Sequence, residues 1–293
     1  MERWIWWALG LMGAAGAYLA TRPFGALKGA VKLTSSTPAV GCTFWLSSGN
    51  DPQWQNAVSS FDFVTAKMLN GTKPMKSSES GPVIAAARAA GVPVHGWSYC
   101  NCRSPQEGAA EGAAAAQVAL EMGAPAYWIN AEHQWAGGYM GEAGAPDPLA
   151  SMAALVQAFK ERAPGVILVF NCTTSWISKR LRGLDEPIAA LFDAYGPMLY
   201  SSGSEGGVKT LRKKWARGFG TAEAVGIPFC PMIGSGRMDK NGKYWTNLDS
   251  VIQVQREQPA QWITSWIAPK QADRLYAANN LNPSLAEFRE VIS

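Results

Sequence analysis

Charge is scarce in this chain. Asp, Glu, Lys and Arg make up 16% of the 293 residues, and the formal net charge is +4, too slight a basic excess for a nucleic-acid footprint. The densest basic cluster, Lys209, Arg212, Lys213, Lys214 and Arg217, reads as the solvated face of a helix, with a patch for an anionic polymer or lipid surface as its other use. Histidine is scarcer still, with His95 and His133 alone. They form no HExxH and no Cys/His spacing, and there is no CxxC, so no metal centre is expected. The five cysteines, Cys42, Cys100, Cys102, Cys172 and Cys230, are odd in number and lie in or just after apolar segments. Buried free thiols are the main reading, and a longer-range disulfide stays open. GxGxxG and GxxxxGK[ST] are both missing, which argues against a nucleotide, and no cofactor is expected. There is no GxSxG elbow for a serine nucleophile. Asp239 and Asn241 only faintly suggest a calcium loop, because Gly242 stands at the fourth position instead of the sixth.

What is present is apolar and aromatic. Hydrophobic residues make up 47% and aromatics 11%, enough for a sizeable core. The run Trp4–Ala20, WIWWALGLMGAAGAYLA, has no charge and lies between Arg3 and Arg22. It falls near the short limit of roughly 17 to 25 residues for a membrane-spanning helix. Trp4, Trp6 and Trp7 gather at one end, as interfacial indoles do. A cleaved signal peptide is the competing reading, but its basic region would be one Arg beside a Glu and no clear cleavage site follows. Residues 1–22 are therefore expected to be a transmembrane anchor, 23–37 a linker, and 38–293 one folded domain. Arg22, Lys28 and Lys32 would keep the C-terminal side cytoplasmic by the positive-inside rule. A cell-wall function needs the opposite orientation, or delivery by a virus particle.

From Pro38 the chain alternates short apolar runs with longer Ala-rich amphipathic ones. The apolar runs begin at Ala39, Phe61, Val92, Ala124, Gly165, Phe192, Ile227 and Gln261. Between them lie helical patterns such as SGPVIAAARAAG, EGAAEGAAAAQVALEMG and DPLASMAALVQAFKERAPG. Eight such strand-and-helix units predict an α/β fold with a parallel sheet, a (β/α)8 TIM barrel. AAGVPV, EMGAPA and RAPGVI each end a helix on Gly or Pro before the next strand. The segment Ser175–Leu191, with Pro187 inside, is the weakest helix. GSGRMDKNGKYWTNLD after the seventh strand reads as a hairpin turning at Asn241-Gly242.

In such a barrel chemistry sits at the C-terminal ends of the strands. Those ends carry Trp45 and Ser47, Lys67 and Asn70, Trp97, Tyr99 and Asn101, Asn130 and Glu132, Asn171, Tyr200 and Trp266. In the fourth run, AYWINAEH, alternation puts Trp128, Asn130 and Glu132 on the axial face and Tyr127, Ile129 and Ala131 on the other. An amide and a carboxyl buried there need partners or a purpose. A carboxyl desolvated among Trp and Tyr rings is pushed towards the range of a general acid. Alternatively, Glu132 pairs with Lys67 and is structural. Trp45, Trp97, Trp135, Trp176 and Trp266 are candidates to stack on pyranose faces, each also readable as core or lid packing. His95, mid-strand, reads as a hydrogen-bonded core residue. Ligation or a Cys-His pair with Cys100 or Glu132 is the other possibility, and His133 is placed to tune Glu132.

A conventional glycosidase carries a second carboxylate about 5 to 9.5 Å from the first. Asp62 and Asp193 lie at the beginnings of strands, the wrong end, and Asp51, Glu142 and Glu205 lie in loops. A substrate's own 2-acetamido group can replace the missing nucleophile. An Asn two residues before the acid could hold that group.

WINAE resembles the fourth-strand Asn-x-Glu motif of family 85 endo-β-N-acetylglucosaminidases. It is also similar to the Asp-x-Glu ending of family 18 chitinases and, more loosely, of family 25 muramidases, with Asn130 in place of Asp. The resemblance implies Glu132 as general acid/base and Asn130 as holder of the acetamido group. Tyr200, ending MLY, resembles the chitinase tyrosine that bonds the same amide. The chain departs from these patterns at Phe170 and Asn171, where family 85 has Tyr and Asp, and at Trp45 and Ser47, where family 25 has an Asp. The expected protein is a membrane-anchored glycosidase acting on an N-acetylated amino-sugar polymer, foremost peptidoglycan. Its catalytic residues are Glu132, Asn130 and Tyr200, and Trp45, Trp97, Tyr99, Trp128, Asn171 and Trp266 bind substrate. Partners at a membrane or in a virion fit the anchor. The alternative is a barrel that binds glycan or scaffolds an assembly without catalysis.

Overall fold

The computed structural model describes residues 39–44, 58–59, 61–132, 135, 144–172, 183–199, 207–233 and 248–267. Its strands are β1 (Ala39–Phe44), β2 (Phe63–Asn70), β3 (Lys73–Pro74), β4 (Val94–Cys100), β5 (Ala126–Ala131), β6 (Ile167–Cys172), β7 (Ala194–Tyr195), β8 (Met232–Ile233) and β9 (Trp262–Ile267). Every apolar run contains one of them. The unanticipated strand is β3, two residues that pair antiparallel with the end of β2. The other eight lie in the order β7-β6-β5-β4-β2-β1-β9-β8, all paired in parallel. Parallel bridges Tyr195↔Phe229 and Met198↔Met232 join the two outer strands of this order. Cys230 N donates to Tyr195 O at 2.7 Å and Met232 N to Pro197 O at 2.9 Å across that seam. The sheet therefore curls round on itself in the manner of a TIM barrel.

The helices are α1 (Ser77–Ala89), α2 (Pro105–Met122), α3 (Pro148–Arg162), α4 (Asp185–Ala189), α5 (Gly207–Val225) and α6 (Leu248–Glu257). Each long helix on the β5 side starts on a side-chain cap followed by Pro. Ser104 accepts from Glu107 N at 3.1 Å, and Asp147 accepts from Ala150 N at 2.9 Å. α2 ends on Gly123 in the left-handed region, φ 64°. α3 ends on Ala163 at φ −128°, with Pro164 directly after it, in keeping with the Gly-or-Pro ending expected of RAPGVI. Among the described residues of the weak segment before Leu191, the helix is the five-residue α4, with Pro187 inside it. Leu248 and Asp249, the tail of the expected hairpin, open α6. The rest of that hairpin lies outside the described residues. So do residues 1–38, with the expected membrane anchor and linker; among the described residues no helix is long and apolar enough to cross a membrane.

The basic cluster lies on α5 as a solvated face, where Arg212 pairs with Glu257 and Arg217 with Asp185. Two apolar layers flank the sheet. Phe63, Trp97, Tyr99, Ala126, Trp128, Ile167, Val169, Ala194, Cys230 and Trp262 form the inner one. Tyr127, Ile129 and Ala131 belong to the outer layer against the helices, so the alternation expected of β5 holds. All five cysteines are buried and free.

α2 and α3 pack closely because α2 presents glycine to its neighbour. A Cβ on Gly112 would lie 2.1 Å from Leu155 O, and one on Gly108 would lie 2.2 Å from Ser151 O. Gly112→Ala is therefore expected to cost about 1–3 kcal/mol by overpacking, lowering Tm by roughly 2–12 °C. Gly220 in α5 has nothing within 4 Å of the same position, and Gly220→Ala should stabilise by about 0.5–1 kcal/mol. Thermal unfolding of the two variants checks the opposite signs.

Candidate active site

β5 sets the site because it brings one amide and one carboxyl to the C-terminal end of the sheet. Asn130 Nδ2 donates to Glu132 Oε1 at 3.0 Å. Asn130 is buried, and its Oδ1 has no hydrogen-bond partner. An orphaned buried carbonyl is costly, and this one is an acceptor awaiting an N–H. Glu132 is half-buried, one residue beyond the strand.

The strands on either side supply the walls. Tyr99 on β4 and Asn171 on β6 are both in register with Asn130, and both are buried. Asn171 is committed to the scaffold, since its Nδ2 donates to Gly196 O at 2.5 Å and so ties β6 to the chain after β7. Lys67 lies on β2 in register with Trp97. Its ammonium sits 5.2 Å from the Trp97 ring centroid and 5.7 Å from that of Tyr99, a double cation–π contact.

Two expectations about tryptophan are corrected. Trp128 is 1% exposed, one inward-facing position deeper than Asn130, and its Nε1 donates to His95 Nδ1 at 3.3 Å. It is interior core with no face for a sugar. Trp135 is fully buried in the outer layer, donating Nε1 to Pro148 O at 3.2 Å. Trp266 lies on β9 in register with Thr43. Trp45, Trp176, Tyr200 and His133 lie outside the described residues. The structure thus brings Asn130, Glu132, Tyr99 and Asn171 of the expected set to one end of the sheet, while Trp97 is buried in register with Trp128, one inward position deeper.

His95 is a core residue. It stacks on Phe63 with ring centroids 4.4 Å apart, and burial drives its pKa down to about 3. Among the described residues no group of His, Cys, Asp and Glu could hold a metal.

The carboxylates at the opposite end of the sheet are structural. Asp62 Oδ2 accepts from Val40 N at 2.8 Å, and Asp193 Oδ2 accepts from Leu168 N at 2.8 Å while pairing with Lys160. Asp51, Glu142 and Glu205 lie outside the described residues.

Two contributors were not anticipated. Glu111, 4% exposed on α2, accepts from Asn101 N and Cys102 N, each at 3.1 Å. It holds the loop after β4, where Cys102 adopts φ 42°. Burial raises its pKa, partly offset by those two backbone bonds. Glu111 is one of three glutamates on this Ala-rich helix, with Glu107 and Glu121, and no local signal marks its partners. The second is a hydroxyl string beneath the site, with Thr65 Oγ1 donating to Thr43 Oγ1 at 2.7 Å and Thr43 2.9 Å from Thr264 Oγ1. Its signal was inward-facing Thr on three strands.

No protein-family model and no curated protein matches the sequence. Solved structures do match the fold. A chitinase from Rhizomucor miehei superposes with TM-score 0.59 at 13% identity, covering 86% of this chain and 100% of its own. The spore cortex-lytic enzyme SleL of Bacillus cereus gives TM-score 0.56 at 11% identity, over 84% of this chain and 75% of its own. An endo-β-N-acetylglucosaminidase from Cordyceps militaris gives 0.55 at 12% identity, over 93% and 96%. At such identities the likeness establishes a fold of the TIM-barrel kind and leaves chemistry to the site.

Proposed function

We propose that this protein is a glycoside hydrolase of N-acetylated amino-sugar polymers, with peptidoglycan as the main substrate, acting by substrate assistance. The observation that carries this reading is the Asn130–Glu132 pair at the end of β5, with one buried oxygen left without a donor. Asn130 Oδ1 accepts the N–H of the substrate's 2-acetamido group and aims its carbonyl oxygen at the anomeric carbon. Glu132, held by Asn130 at Oε1, carries the acid proton on Oε2 and gives it to the leaving glycosidic oxygen. The C–O bond to the leaving group breaks as the acetamido oxygen bonds to the anomeric carbon. Glu132 then takes a proton from the water that opens this intermediate. Tyr200 would bond the same acetamide, and Trp45, Tyr99 and Trp266 would line the cleft.

The names of the similar structures support this substrate class, since a chitinase, an endo-β-N-acetylglucosaminidase and a cortex-lytic enzyme share the fold. Residues 1–22 would anchor the enzyme by a single membrane span, 23–37 would link, and 38–293 would act on the wall side or within a virus particle.

The test compares reducing-end release by the full chain in mild detergent from peptidoglycan, N-acetylated chitin oligosaccharides and their deacetylated counterparts. Acetylated substrates should be cleaved and deacetylated ones left intact. Equal cleavage of both would overturn substrate assistance, and glycan binding without cleavage would favour a non-catalytic glycan-binding protein.

A further inference from the structure

Three successive backbone amides after β4 are taken by carboxylates of α2. Asn101 N donates to Glu111 Oε2 at 3.1 Å, Cys102 N to Glu111 Oε1 at 3.1 Å, and Arg103 N to Glu107 Oε2 at 2.9 Å. Glu107 also pairs with the exposed Arg103 guanidinium, whereas Glu111 is buried and the backbone N–H groups stand in for its water. Among the described residues Cys102 is the only non-glycine with positive φ. A residue with a side chain keeps that backbone only where its surroundings enforce it. The turn after β2 closes on the same carboxylate. Gly71 N donates to Tyr99 O at 2.8 Å, and a Cβ on Gly71 would lie 2.5 Å from Asn101 Nδ2 and 3.4 Å from Glu111 Oε1. Glu111 therefore fastens the ends of β2 and β4 to a helix that Gly108 and Gly112 seat against α3.

The residue set by this fastening is Tyr99. Its carbonyl is held by Gly71, the two amides beyond Cys100 are held by Glu111, and its partner in register is Asn130. Asp62 accepts from a backbone amide in the same way at the other end of the sheet, where no functional group depends on it. We propose that Glu111 is a positioning residue for the acetamido site, holding Tyr99 beside Asn130 through the loop after β4. The inference rests on the amino-sugar reading above and deepens it by naming what fixes the wall next to Asn130.

The full-length Glu132→Gln protein is titrated by calorimetry with chitin oligosaccharides and with cellulose oligosaccharides of equal length, which carry hydroxyl groups in place of acetamido groups. The chitin ligand should bind at least tenfold more tightly. Glu111→Gln keeps the size of the side chain but turns one acceptor into a donor facing an N–H. It should cut that ratio at least threefold, and in the chain with Glu132 it should lower kcat at least tenfold. Asp62→Ala should leave the ratio standing. A merely structural Glu111 would lower Tm without moving the ratio, because the folded fraction affects both ligands alike, and that result would overturn the proposal. A fall of the ratio in Asp62→Ala as well would mark general loosening and overturn it too. Where Glu111→Gln alone fails to fold, the same ratio is read with Cys102→Gly added, since glycine adopts φ 42° without strain. It should fall in the double variant and hold in Cys102→Gly alone; an unchanged ratio in the double variant would overturn the proposal. Equal binding of the two ligands by the protein with Glu111 would also overturn it, and intact cleavage of chitin oligosaccharides would then spare the hydrolase reading. The expected ratios without cleavage of any glycan would sink the hydrolase reading and keep Glu111 as the positioning residue of a binding site. No binding of either ligand would end both.

Discussion

Glu132→Gln should lower the rate of cleavage of N-acetylated oligosaccharides by about 10²–10⁴-fold, the contribution of a placed general acid. The amide keeps the shape of the side chain and can still face Asn130, so binding of the same oligosaccharide should change little. The loss belongs in kcat, because the proton is delivered only as the glycosidic bond breaks. Asn130→Ala attacks the other half of the mechanism. It removes the acceptor for the acetamido N–H and the donor 3.0 Å from Glu132 Oε1, and misplacement of the internal nucleophile should cost about 10²-fold. Asn130→Asp keeps an acceptor in place and should retain more activity than Asn130→Ala. Steady-state kinetics on one chitin oligosaccharide compares all three. Glu132→Gln cleaving as fast as the unmodified chain would remove Glu132 from the mechanism, and Asn130→Ala matching Asn130→Asp would remove the acetamido-holding role.

The pair was legible in the sequence because three independent regularities met on it. The strand-and-helix rhythm placed AYWINAEH fourth of eight, the period of two sent Asn130 and Glu132 to one face, and barrel geometry assigns that end to chemistry. The eight apolar runs read cleanly because parallel strands buried on both faces are apolar throughout. Depth along the axis was harder to read. Trp128 shares a face with Asn130 but lies two residues earlier, about 6.5 Å down the strand, and that step moves an indole from a cleft wall into closed core. Trp135 shows the same limit, because residue type does not say which layer a ring enters. Glu111 was illegible for a different reason. Its partners are the backbone N–H groups of Asn101 and Cys102, and backbone donors carry no sequence signature.

Acid should destabilise this protein through a residue remote from catalysis. His95 is fully buried between Phe63 and Trp262 and accepts from Trp128 Nε1. Burial holds its pKa at about 3, against 6.5 in an unfolded chain. Between those values the unfolded chain binds a proton that the folded one refuses. Stability is therefore fully present above about pH 6.5 and falls with decreasing pH by about 1.4 kcal/mol per unit, continuing towards pH 3. From pH 7 to pH 5 the loss should reach roughly 2 kcal/mol, or a Tm lower by about 4–8 °C. His95→Asn separates this term from all others. Its Oδ1 can stand where Nδ1 accepts from Trp128, and it does not titrate. The cavity left by the missing ring lowers stability at every pH, but the difference between the two proteins should narrow by about 2 kcal/mol between pH 7 and pH 5. Urea unfolding at pH 7, 6 and 5 measures it. A gap that stays constant would mean that His95 does not control acid stability.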